Sequence, residues 1–172
     1  IVKTLSEMKK QYYQEANASY AGRYVFTGYK TDKTMSFEEK TTEEYKITEN
    51  FTVDDLQALS KTLYNSDGNP ELVNSHRIRL AYGSLDNVVP AFSDKDGNPV
   101  TTLTYTDQDG NTKTVDLSTI ACYEAASDDG AYKPDSDQIH YIAETGELIL
   151  GDDVYHALQG VSDIAVTYQK SE

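Results

Sequence analysis

The sequence predicts an α+β protein: a long N-terminal helix, or stalk, followed by a β-rich antiparallel head domain with one short helix. Three observations predict it. Apolar residues recur at helical spacing through residues 1–20, short runs of alternating apolar and polar residues fill the second half, and Asp-Gly or Thr-Gly pairs sit between those runs.

The stalk comes first. Ile1, Leu5, Met8 and Tyr12 fall at steps of four, three and four, and Ala16 and Tyr20 continue the line, so one stripe of a helix carries them all. Lys3, Glu7, Lys10, Gln14 and Asn17 cover the opposite side, and neither Gly nor Pro interrupts residues 1–20. Such a helix spans about 30 Å. Its stripe is narrow, like a coiled-coil seam rather than the broad face of a helix lying on a globular core, so it requires a helical partner. No comparable helix follows in the sequence. The partner is therefore expected on a removed segment or on another subunit, which makes Ile1, Leu5, Met8, Tyr12, Ala16 and Tyr20 subunit-interface candidates.

Gly22 is expected to cap this helix, with a strand over 23–27 and a turn over 28–32. Phe37 and the alternating Tyr45 and Ile47 point to further extended segments. The polar stretch 38–44 marks a boundary, so residues 1–44 read as stalk plus β-hairpin and residues 45–172 as a β-rich head. The one short helix is expected over 53–64, with Thr52 as N-cap, Asp54 and Asp55 in the first turn, and Leu56, Leu59 and Leu63 on one face. Strands follow. Ile78, Leu80 and Tyr82 alternate; 100–106 and 112–117 flank Asp107-Gln-Asp-Gly-Asn111, a hairpin signal; 139–142 and 148–150 flank Glu144-Thr-Gly-Glu147, another. Residues 152–158 read as a helical turn, and Ile164, Val166 and Tyr168 as a closing strand.

Composition bounds the function. The 172 residues carry 15 Lys+Arg against 29 Asp+Glu, a net charge of −14. A phosphate binder needs a basic face, so nucleic acid is not an expected partner. No stretch is apolar enough to cross a bilayer as a helix, so neither is a membrane. Fourteen Tyr and 4 Phe, without Trp, supply too much aromatic bulk for a disordered acidic chain. The single cysteine, Cys122, cannot form an internal disulfide and sits in an apolar segment, where a buried small hydrophobe is expected. The chain begins at Ile1 without a Met and reads as a trimmed fragment; no signal peptide is visible.

No motif asks for chemistry. Asp94-Lys-Asp-Gly-Asn98 and Asp107-Gln-Asp-Gly-Asn111 resemble calcium loops, but the glycine comes too early and the twelfth positions hold Tyr105 and Ser118, so β-turns are expected. His76, His140 and His156 lie in no metal-spacing pattern. A Cys122–His pair remains formally open. Asp128-Asp129 and Asp152-Asp153 beside glycines read as solvated turns. Neither metal, cofactor nor catalytic residue is expected. Tyr12, Tyr13, Tyr20, Tyr24 and Tyr29 cluster at the helix-to-strand junction, either as a small satellite core or as a subunit contact.

The junction carries a resemblance. Asn17-Ala-Ser-Tyr-Ala-Gly-Arg-Tyr-Val-Phe-Thr-Gly-Tyr-Lys-Thr-Asp32 is similar to a segment of the flagellar hook-associated protein 3 family, the hook–filament junction proteins. There an Asn precedes a Gly-Arg-Tyr-aliphatic-Phe-Ser/Thr-Gly-x-Lys-Thr run at the end of a long helix. The matches are Asn17, Gly22, Arg23, Tyr24, Val25, Phe26, Thr27, Gly28, Lys30 and Thr31, and the likeness covers about the first 35 residues. The resemblance implies a non-enzymatic, extracellular subunit of the bacterial flagellum, exported unfolded by the flagellar type III apparatus. It implies a flagellin-like arrangement with partners in a second junction protein, flagellin, and copies of itself in a ring. Neither terminal helix of the family is present, so the chain by itself is expected to be monomeric. The rival readings are a flagellin fragment, an extracellular carbohydrate-binding or adhesin β module, and a Cys122 hydrolase.

Overall fold

The computed structural model describes residues 2–27, 42–64 and 67–172. The chain divides into two compact units, Ile1–Thr42 and Glu43–Glu172.

In the first unit, α1 (Val2–Ala16) leads into β1 (Ser19–Tyr20) and β2 (Arg23–Tyr24). The expected long stalk is not present. The helix stops at Ala16, where Asn17 N–H still donates to the Tyr13 carbonyl at 3.1 Å, and the chain then turns into a hairpin pairing Ser19 with Tyr24 and Tyr20 with Arg23. The turn explains the ending. Ala21 (φ 50°) and Gly22 (φ 76°) both adopt positive φ, which a two-residue turn of mirror-image type requires. Gly22 is thus the second turn residue of a hairpin rather than a helix cap. The expected strand over 23–27 shrinks to Arg23–Tyr24.

The second unit is almost entirely β. Its strands are β3 (Glu44–Phe51), β4 (Gln57–Tyr64), β5 (Pro70–Arg79), β6 (Ala91–Ser93), β7 (Thr102–Thr106), β8 (Thr112–Asp116), β9 (Ile120–Tyr123), β10 (Ile139–Ile142) and β11 (Glu147–Leu150). The helix α2 (Asp152–Gln159) and the strand β12 (Ile164–Ser171) complete it. The α+β expectation is therefore corrected to a mostly β protein, with four sheets and two short helices among the described residues.

The expected helix over 53–64 is also overturned. Only Val53–Asp55 form a 3₁₀ turn, held by Thr52 N–H donating to the Asp55 carboxylate at 2.8 Å, and β4 follows. Leu59 and Leu63 are four apart, a spacing that suits one helix face and one strand face equally well. Pairing with β5 decides it: Gln57 lies opposite Arg77 and Tyr64 opposite Pro70 along an unbroken hairpin.

A five-stranded sheet runs in the order β4-β5-β11-β10-β9, and a three-stranded sheet in the order β3-β12-β6, with β7–β8 a separate hairpin. The expected antiparallel head has one exception. β9 runs parallel to β10, because residues 124–138 form a crossover long enough to return the chain in the same direction. That crossover lays Ala131 and Tyr132 on one face of the sheet, against Ile142 and Ile149. The other face bears Ile78, Leu148, Leu150, Ile139 and Tyr141. These share the main core with Val154 and Leu158 of α2 and with Val166 and Tyr168 of β12. β10 and β11 are buried at every residue, on both faces, so neither alternates apolar with exposed polar side chains, and their polar members His140 and Glu147 are buried with the rest.

Candidate assembly surface

α1 forms because residues 2–16 lack Gly and Pro and contain several good helix formers. No acidic residue occupies its first turn and no basic residue its last. Gln11 donates to Glu15 at 3.1 Å one turn away, and the Lys9 ammonium lies 5.4 Å from the Tyr13 ring centre. Isolated helices of about 12–15 residues are marginal in water and draw their stability from an apolar face packed against something else. Yet the apolar stripe here faces solvent: Leu5 is 60%, Met8 61% and Tyr12 63% exposed.

The interface candidates separate in the structure. Leu5, Met8 and Tyr12 share one exposed helix face. Ala16 is half-buried at the helix end, and Tyr20 leaves the stripe altogether because it belongs to β1, where it is 81% exposed. Ile1 lies outside the described residues. Of the motif residues, Asn17 is half-buried, with its side-chain oxygen buried and lacking a hydrogen-bond partner among the described residues. Gly22, Arg23 and Tyr24 build the hairpin, Val25 N–H donates to the Ala18 carbonyl at 3.0 Å, and Thr27 Oγ1 to the Tyr24 carbonyl at 3.2 Å. Val25 and Phe26 are exposed. Gly28, Tyr29, Lys30 and Thr31 lie outside the described residues.

In the head, the two Asp-Gly loops are turns. Asp94 accepts from the backbone N–H of Asp96 (2.9 Å) and Asn98 (2.8 Å), and Asp107 from those of Asp109 (3.0 Å) and Asn111 (2.8 Å). Hydrogen bonds from Asn98 and Asn111, respectively, hold the two carboxyls below the usual carboxylate range. Among the described residues no group of three or more His, Cys, Asp or Glu is arranged to hold a metal ion.

Cys122 is exposed, which corrects the expected buried position: β9 is an edge strand, and its middle residues face outward. Partial desolvation, then the charge of Glu124, pushes its thiol pKa up, so little thiolate forms at neutral pH.

Two clusters escaped the sequence reading. Buried Glu147 accepts from Tyr132 (2.8 Å), Thr145 (2.9 Å) and Arg77. Burial pushes its pKa up, but those hydrogen bonds outweigh burial and leave it below the ordinary value. Beside α2, Asp153 accepts from Tyr105 (2.5 Å), Lys113 (3.0 Å) and Ser136 (3.1 Å), at the wall of a groove of about 500 Å³. Apart from Thr145, two residues from Glu147, these partners lie 15 to 70 residues away on other strands and loops, so local spacing announced neither cluster.

Comparison with family models, with curated proteins and with solved structures finds no match for this chain.

Proposed function

We propose that this chain is the middle and outer part of a hook–filament junction subunit of the bacterial flagellum, a structural protein without catalytic activity. The exposed Leu5–Met8 face of α1 carries this reading. A helix of this length with its apolar stripe in water is stabilised when a neighbouring helix covers the stripe. The flagellar identity of that neighbour rests on the resemblance of residues 17–32 to the junction family. The mechanism is mechanical: helix seams bury apolar stripes between subunits in a helical array, while the acidic head decorates the outside.

The test uses the full-length protein in a flagellated strain lacking it. Leu5→Asp with Met8→Asp should leave the head folded, because both side chains are already solvent-exposed. It should release filaments and shed monomeric flagellin into the medium. Normal filaments on such cells would remove this reading. Filaments that fail even to elongate would favour the flagellin alternative.

A further inference from the structure

We propose that the His76–Tyr155 stack is an acid-sensitive fastening between β5 and α2, intact while the imidazole is neutral and released when it takes a proton. The two rings lie parallel, 6° apart in plane with centres at 3.5 Å, and join the five-stranded sheet to the first turns of the helix. His76 Nδ1 is buried and has no hydrogen-bond partner among the described residues. Its nearest charge is Asp152 Oδ1 at 3.9 Å, beyond hydrogen-bonding range. A proton on Nδ1 places positive charge on a side chain that is only 26% exposed, with no acceptor for the new N–H among the described residues.

The surrounding groups decide the sign. From α2, Asp152 favours the cation, His156 opposes it, and Tyr155 covers the ring. From β4 the opposing residue is Ala58, and from β11 it is Leu150; neither carries charge. Asp152 is 75% exposed, so solvent screens most of its pull. Desolvation therefore dominates and lowers the pKa of His76 below its ordinary 6.5. The unfolded chain takes up the proton first. The stability supplied by the neutral stack is thus complete above 6.5 and falls as pH drops below that value. Release would reach beyond one contact, because the next residue, Asp153, ties α2 to Tyr105 of β7 and Lys113 of β8.

The test is a pH titration of the whole chain from 7.5 to 5, following each histidine ring by NMR and α2 amide protection by hydrogen exchange normalised to intrinsic rates. The expected result is a His76 midpoint below 6.5 and loss of α2 protection on acidification. His76→Gln should remove at least half of that loss, and Asp152→Asn should lower the His76 midpoint further. A His76 midpoint at or above 6.5, or an equal loss of protection in His76→Gln, would overturn the proposal. The wild-type titration decides the first point even if a variant folds poorly.

Discussion

Glu147 sits where the sheet and its crossover meet, and three donors converge on its carboxylate. Removing the Arg77 guanidinium leaves a buried charge short of its cationic partner, so Arg77→Met should cost about 3 kcal/mol in urea unfolding. Arg77→Met with Glu147→Leu should recover much of that loss, since replacing both partners avoids the stranded charge. The folded-state pKa of Glu147 is depressed. Its contribution is present above the unfolded carboxylate value and disappears as pH falls through the folded one, so the acid limb of the stability profile should flatten in the double variant. None of this was legible beforehand. Tyr132, Thr145 and Arg77 reach Glu147 from a loop, a turn and a strand, and a sequence displays no such convergence.

Turns were the legible elements, because they depend on few residues with particular backbone needs. The 107–111 turn joins β7 to β8 with Thr106 opposite Thr112, and Thr145-Gly146 joins β10 to β11 with Ile142 opposite Glu147. Gly146 has a reason beyond flexibility. Its φ is +66°, and a Cβ there would lie 1.9 Å from the Tyr82 carbonyl oxygen. Gly146→Ala should destabilise the head by about 2–4 kcal/mol in urea unfolding, through backbone strain and overpacking together. Helix-versus-strand identity was less legible. Leu59 and Leu63 satisfied both periods, and only pairing with β5 resolved them. The N-terminal stripe follows the helix from Leu5 to Ala16, with Ile1 outside the described residues, and was overrun at Tyr20, because continuing a period past Asn17 ignored the hairpin that Ala21 and Gly22 form.

At the scale of the whole molecule, charge divides with the fold. Residues 43–172 hold 8 Lys+Arg against 24 Asp+Glu, a net of −16, while residues 1–42 hold 7 against 5, a net of +2. Acidic heads repel one another and oppose head-to-head association, whereas the helical unit carries almost no such barrier. The nearly neutral unit is also the one in which Leu5 and Met8 of α1 face water, and it is there that the proposed subunit contact would lie. Composition alone set the acidity of the head; naming a proposed contact needed the helix face and its exposure together. For the proposed junction subunit, the most direct measurement is photo-cross-linking in assembled flagella, using full-length protein with Met8→Cys and Cys122→Ser, its single thiol carrying a maleimide-linked benzophenone whose excited ketone inserts into a C–H bond of whatever chain lies against it. The account predicts a covalent adduct between position 8 and an adjacent subunit. Intact filaments with position 8 labelled but never joined to a neighbour on irradiation would contradict it.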